Sequence, residues 1–193
     1  MLISRRLAAV ALVPLEINWP VSDAPNTQPP GRANFPNVVL LNQDSKRVRF
    51  YDDLILGNHT VVINFIYAQC GDICPTTMAN LANVQELLGE RLGRTVFMAS
   101  ISIDPLHDYP VVLKAYGENF NVRAGWQLFT GKPNDIERIR RQLGVYDRDP
   151  EKDQDLSQHT GMLVYGNQAR GHWSRVSALA NPRRIFESIT RWT

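Results

Sequence analysis

The chain has 193 residues, 44% of them apolar and 21% charged, which suits a soluble globular protein with enough apolar material for one well-buried domain. A formal net charge of +2, with arginines scattered along the chain, excludes the basic footprint of a nucleic-acid binder, so no nucleic acid is expected as a partner. With only two cysteines, Cys70 and Cys74, a disulfide-stapled scaffold is excluded and stability must come from a hydrophobic core.

The N-terminus reads differently from the rest. Ser4-Arg5-Arg6 precedes the apolar run Leu7 to Val13, much shorter than the roughly 20 residues of a membrane span and compatible with the charged start and apolar core of an export signal. The Ser-Arg-Arg opening also suits a twin-arginine signal, and a frayed terminus is the alternative. From Pro20 to Pro36 the chain holds five of its twelve prolines together with Asn, Gln and Ser, the composition of a linker. Residues 1–34 are therefore expected to be an export signal or anchor remnant plus a proline-rich linker, and residues 35–193 the folded domain.

Val38 to Leu41 and Arg47 to Phe50 are β-prone runs on either side of Asn42-Gln43-Asp44-Ser45, which predicts a hairpin. Val61 to Tyr67 is apolar almost throughout and reads as a buried strand. Pro75 suits a first helical turn, and Leu81, Val84 and Leu88 keep helical spacing up to Gly93. Val96 to Ile103 predicts a strand, Asp108 and Pro110 a helix start, Trp126 to Thr130 a strand, and Asn134 or Asp135 the opening of a helix with Ile136, Ile139 and Leu143 on one face. Asp147 to Asp155 reads as a solvated acidic loop, able to steer a basic partner such as a cytochrome. Met162 to Tyr165 resumes strand character, and Asn181-Pro182 caps a last helix with Ile185, Ile189 and Trp192 inward. Strands alternating with helices imply a sheet covered by helices, with sites at the carboxyl ends of its strands.

Cys70-Gly71-Asp72-Ile73-Cys74-Pro75 lies at such an end. A strand that delivers two thiols to a helix N-terminus sets them among unsatisfied N–H groups that favour the thiolate, the reactive and metal-ligating form. A structural disulfide is the bland alternative, but a loop of three residues constrains the unfolded chain little. Thiols four residues apart on one helical turn lie on one side of it, close enough to share a metal or, with adjustment, to form a disulfide. Thiolates suit soft Cu(I), whereas a closed zinc site needs four ligands. His159 precedes a predicted strand; by itself such a histidine is more often a surface or hydrogen-bonded residue than a ligand. His59, His107 and His172 fall at predicted turns or beside Asp108 and are read as solvated, Asp72 and Asp104 as turn residues, and Met78 and Met162 as core.

Val61-Val62-Ile63-Asn64-Phe65-Ile66-Tyr67 with the following Cys-x-x-x-Cys-Pro, then Ser102-Ile103-Asp104-Pro105 with Asp108, then His159-Thr160-Gly161-Met162, resembles the Sco/SenC copper proteins, in order from about Phe35 to Trp192. The resemblance implies an α/β, thioredoxin-like fold, a central mixed sheet flanked by helices with an N-terminal β-hairpin. It also implies an exported protein, periplasmic or at the outer face of the inner membrane, with membrane association. One copper ion, Cu(I) or Cu(II), would be bound by Cys70, Cys74 and His159. The ion would be delivered to, or thiols reduced for, the dinuclear copper site of cytochrome c oxidase. The implied partners are a copper-accepting subunit of a respiratory oxidase and a cytochrome or copper donor protein.

The competing function is a thiol-disulfide oxidoreductase acting on exported proteins, with Cys70 and Cys74 as its redox-active pair. Against it, the spacer holds three residues instead of two, and Gln158 to Gly161 contains no proline to clamp a substrate. A peroxidase of the same fold would want Thr or Ser a few residues before its cysteine, where this chain has Ala68-Gln69.

Overall fold

The computed structural model describes residues 35–71, 73–156 and 161–191. The proposed leader, Asp72, His159 and Trp192 lie outside the described residues. In chain order the elements are β1 (Val39–Asn42), β2 (Arg47–Arg49), a π-helical turn (Phe50–Ile55), β3 (Thr60–Ile66), α1 (Ile73–Leu88) with a 3-10 turn (Gly89–Arg91), β4 (Val96–Ser102) and α2 (Pro110–Glu118). β5 (Trp126–Gly131), α3 (Pro133–Gln142), α4 (Pro150–Gln154), β6 (Met162–Asn167), β7 (His172–Ser177) and α5 (Pro182–Thr190) complete the fold.

The seven strands form one mixed sheet in the order β2-β1-β5-β4-β3-β6-β7. β3, β4 and β5 run parallel, while the β1–β2 hairpin and the β6–β7 pair run antiparallel on the two flanks. β3 lies inside the sheet between β4 and β6 and is buried at every position. Its alternate side chains feed opposite faces. Val61, Ile63 and Phe65 pack with Phe50, Ile55, Ile136 and Ile139, under the π-helical turn and α3. Val62 and Ile66 pack with Met78, Leu81, Val84, Ile185 and Ile189, under α1 and α5. A fully buried apolar side chain of this size contributes about 1.5–3 kcal/mol, which is why the uninterrupted apolar run settles at the centre. Inside the second layer Ser100 donates to Asn64 Oδ1 at 2.7 Å and accepts from Trp126 Nε1 at 2.9 Å, while the Asn64 amide nitrogen finds no partner among the described residues.

The hairpin, the strand–helix alternation and the inward Ile185 and Ile189 agree with the sequence expectations. Four differences have physical causes. α1 opens at Ile73, two residues before Pro75, so Cys74 is helical. α3 opens at Pro133 with Lys132 as its cap, because proline at the first helical position is preorganised in φ and lacks only an N–H that would be orphaned anyway. β7 is half-exposed at the sheet edge and lacks the apolar alternation that announces a strand. The acidic stretch is not a plain solvated loop: it folds into α4, capped by Asp149 on Glu151 N–H at 3.1 Å, and Asp153 is buried in ion pairs. Among the described residues no helix is long and apolar enough to cross a membrane.

Candidate metal centre

The turn after β3 carries the chemistry. Asp108, only 1% exposed, holds it in place: its carboxylate accepts Ala68 N–H at 3.1 Å and the Ser102 hydroxyl at 2.6 Å, tying the turn to the end of β4. Ile103 N–H donates to Ile66 O at 2.8 Å, which joins the two carboxyl ends directly. Burial pushes the Asp108 carboxyl upward, and the Ser102 and Ala68 hydrogen bonds oppose that shift. Asp104 behaves as the expected turn residue, its N–H on Ser102 Oγ and its carboxylate on His107 Nδ1.

Beyond Ala68 the chain bends so that Cys70 N–H donates to Tyr67 O at 3.2 Å, and the first turn of α1 brings Cys74 N–H to Cys70 Sγ at 3.4 Å. Both cysteines are free thiols, 6% and 1% exposed, in the same apolar cluster as Met78 and Leu113. Burial pushes the Cys74 thiol up to about 12, helped by its hydrogen bond with Cys70 and opposed by Tyr67 N–H, which donates to its sulfur. The helix N-terminus was expected to favour thiolates; desolvation outweighs it here, and Cys74 is a thiol at neutral pH. A metal entering this pocket must displace that proton. The Tyr67 hydroxyl bonds Cys70, which together with burial and the nearby thiol and Asp155 charges pushes the phenol up to about 12. Tyr116 faces the same pocket from α2; burial and the thiol charges raise its pKa, and its buried hydroxyl has no hydrogen-bond partner among the described residues.

Two soft sulfurs in a desolvated pocket, with an orphaned hydroxyl beside them, form a donor set that suits a soft monovalent cation better than a hard divalent one. The described residues contain no cluster of three or more His, Cys, Asp or Glu able to hold a metal. His159 lies outside the described residues, but the chain on either side of it borders the cysteine turn. On one side Asp155 is near enough to Tyr67 to oppose its ionisation. On the other, a Cβ added to Gly161 would lie 2.9 Å from Ile73 Cδ1 and 3.5 Å from Thr77 Oγ1, so the backbone there rests on the first turns of α1. The remaining histidines lie elsewhere: His59 donates to Leu54 O at 3.0 Å, His107 is 65% exposed, and His172 pairs with Asn167 on β7. His59 is half-buried against Phe97 instead of solvated as expected. Met78 is core, as expected, whereas Met162, at the start of β6, is only half-buried.

A family model described as SCO1/SenC matches residues 33–193. The chain belongs to the SCO1/SenC family. A SCO2-like protein of Rickettsia felis is 27% identical over 147 residues, 72% of this chain and 68% of that protein. Among solved structures, a SCO1/SenC family lipoprotein of Bacillus anthracis superposes with a TM-score of 0.65 at 25% identity, over 82% of this chain and 94% of its own. Bradyrhizobium japonicum ScoI with copper bound gives a TM-score of 0.64 at 25% identity, over 80% and 96%. The fold of this SCO1/SenC chain is thioredoxin-like, as the motif order implied.

Three contributors to the site were missed as such in the sequence. The pattern gives Asp108 as a helix start because Pro110 follows, and Tyr67 and Tyr116 as strand and helix residues; the fold sets the two tyrosines beside the thiols and Asp108 beneath the turn that carries them. For Asp108 the signal was its place in the Ser102-to-Asp108 motif, which recurs with the cysteines in the family resemblance.

Proposed function

We propose that this chain is a copper-binding assembly factor that serves cytochrome c oxidase, holding one copper ion through Cys70, Cys74 and His159. The reading rests on one observation above all: two reduced, desolvated thiols one helical turn apart, with Cys74 N–H on Cys70 Sγ. Family membership and a copper-bound neighbour at 25% identity support it. Soft thiolates hold Cu(I), and imidazole is the ligand acceptable to both oxidation states. The flanks of residue 159 favour its joining the thiols, since two residues from Gly161 span at most about 7 Å.

The protein either hands over the ion to a copper-accepting subunit of the respiratory oxidase or reduces that subunit's thiols. Delivery is the better supported. Burial raises the Cys74 thiol well above its ordinary value, and thiol exchange runs through thiolates, so burial works against rapid turnover through Cys74 as a general oxidoreductase on exported proteins. A related lipoprotein supports an exported, membrane-associated location, with residues 1–34 as leader and linker and the functional domain from 35 onward.

The test is an anaerobic titration of the reduced protein with Cu(I) and with Cu(II). One equivalent of either should bind, Cu(II) giving an intense visible charge-transfer band. Cys70→Ser and Cys74→Ser should lose tight binding, whereas His159→Ala should keep Cu(I) and bind Cu(II) weakly. A colourless, copper-free wild type with fully reduced thiols would overturn the ligand assignment.

A further inference from the structure

The carboxyl end of the sheet carries apolar surface that the copper site does not use. Among the described residues seven large apolar side chains are exposed, and three of them fall within six residues after β4: Leu106 is 66% exposed, Tyr109 43% and Val111 73%. A fourth, Tyr146, lines a groove of about 420 Å³ together with Ile103 and Pro105, and Pro105 joins that groove to Leu106. The segment is held by its own hydrogen bonds. Asp104 N–H donates to Ser102 Oγ at 3.0 Å, Asp108 N–H to Asp104 O at 2.9 Å, and His107 Nδ1 meets the Asp104 carboxylate at 2.8 Å. Across the groove the Arg141 guanidinium lies 5.1 Å from the centre of the Tyr146 ring. Exposed apolar side chains on such a preorganised turn lose little freedom on contact, which suits them to binding another protein.

The same segment is fastened to the cysteine turn. Ile103 N–H reaches Ile66 O at 2.8 Å, and Asp108, two residues after Leu106, holds Ala68 N–H at 3.1 Å. A protein seated on Leu106 and the groove is therefore brought to the end of the molecule that carries Cys70 and Cys74. Charge narrows what that protein can be. The floor of the groove is balanced, since Arg140 and Arg141 pair with Glu137 and Asp153. The stretch that forms its other wall is not: from residue 147 to 155 the exposed side chains are four acids, Asp147, Asp149, Glu151 and Asp155, against two bases, Arg148 and Lys152. An apolar groove with an acidic flank is complementary to an apolar side chain flanked by basic ones.

We propose that this surface is the docking site of the copper-accepting protein, which seats an apolar side chain in the groove beside Leu106 and sets basic side chains against the 147–155 stretch. The inference rests on the function proposed above and adds the surface chemistry of the partner. The two parts of the surface act on different steps. Opposite charge speeds the encounter and is screened by salt, whereas apolar contact sets how long the complex lasts.

The experiment titrates the full chain, metal-free and then Cu(I)-loaded, with the reduced, soluble copper-accepting domain of the respiratory oxidase. Calorimetry gives the affinity and stopped flow the rates of association and copper transfer, at about 0.1 M and about 1 M salt, where charges reach roughly 10 Å and 3 Å. Leu106→Ser and Tyr146→Ser should each weaken docking about five-fold or more, through faster dissociation, and slow transfer in step. Their Cu(I) affinity should stay at the wild-type value, because neither side chain belongs to the copper site. Glu151→Lys should instead slow association at the lower salt and match wild type at the higher. Absence of docking by the wild type, wild-type affinity and transfer in folded Leu106→Ser and Tyr146→Ser, or association indifferent to salt and to Glu151→Lys would overturn the docking site. A wild-type dimer that dissociates in Leu106→Ser would give the surface to a second copy and overturn the partner named here. So would a chain that docks nothing until Arg5→Glu/Arg6→Glu is introduced, which would give the groove to its own basic leader. A wild type that holds no Cu(I) would overturn the functional reading, and it is told apart because docking is measured on the metal-free chain as well.

Discussion

Replacing Asp108 by alanine removes the carboxylate that accepts both Ala68 N–H at 3.1 Å and the Ser102 hydroxyl at 2.6 Å, and so detaches the cysteine turn from the end of β4. The buried Ser102 hydroxyl and the part-buried Ala68 N–H are then left without their acceptor, at about 1–3 kcal/mol each. Against this, the variant no longer has to bury a carboxyl whose pKa is already raised by desolvation. A net destabilisation of about 2–4 kcal/mol follows, which in a domain of this size lowers Tm by roughly 4–16 °C. Ser102→Ala removes the donor to Asp108 and the acceptor of Asp104 N–H but leaves Ala68 paired, and it should cost about 1–2 kcal/mol. The assay is thermal and urea unfolding of the metal-free, reduced protein, followed by Cu(I) titration of whatever folds. Because Ala68 lies two residues before Cys70, Asp108→Ala should also weaken Cu(I) binding, by about ten-fold. A variant with wild-type Tm and wild-type Cu(I) affinity would refute the claim that Asp108 holds the turn.

Three further outcomes are expected. Tyr116→Phe deletes a buried hydroxyl that has no partner among the described residues, so it should leave the metal-free protein as stable or up to about 1 kcal/mol more stable; a clear loss in urea unfolding would mean that the hydroxyl is paired. The Arg140 hydrogen bond holds the Asp153 carboxyl below the usual carboxylate range, so its stabilisation is complete above the unfolded value of about 4 and vanishes as pH falls through the lower folded value; the stability gap between wild type and Asp153→Asn should be constant from neutral pH to about pH 5 and close below about pH 4, and a gap that persists in acid would contradict this. Gly161→Ala places a methyl 2.9 Å from Ile73 Cδ1, which should destabilise by about 1 kcal/mol or more and be relieved by Ile73→Val; additivity of the two changes would show that they do not touch.

The parts of the fold legible in the sequence were those whose packing is continuous with local pattern. Val61 to Tyr67 is apolar without break because β3 is covered on both faces, and Ile185 and Ile189 follow one helical face because α5 presents only one side to the core. β7 gave no such signal: His172, Ser174 and Arg175 leave it half-wet at the edge, held by its backbone register with β6. α4 escaped notice because charge holds it, although Asp149-Pro150 before Glu151 was a helix-start signal in plain view. At the site, the spacing of Cys70 and Cys74 and their place at the end of a strand were legible, while their protonation was not. A helix N-terminus can be read from sequence, but the desolvation that overrides it at Cys74 depends on Met78, Leu113 and Tyr116, which come from three different turns of two helices. Asp108 was equally hidden, since its partner Ala68 is 40 residues away and only the parallel pairing of β3 with β4 brings them together.

The central claim is that the two thiols of the cysteine turn and the imidazole of residue 159 hold one copper ion. Copper-edge X-ray absorption of the protein loaded with one equivalent of Cu(II), compared with His159→Ala, tests it most directly. The account predicts a shell of two sulfurs with a nitrogen whose imidazole scattering is lost in the variant. A shell without sulfur, or imidazole scattering that survives His159→Ala unchanged, would contradict it.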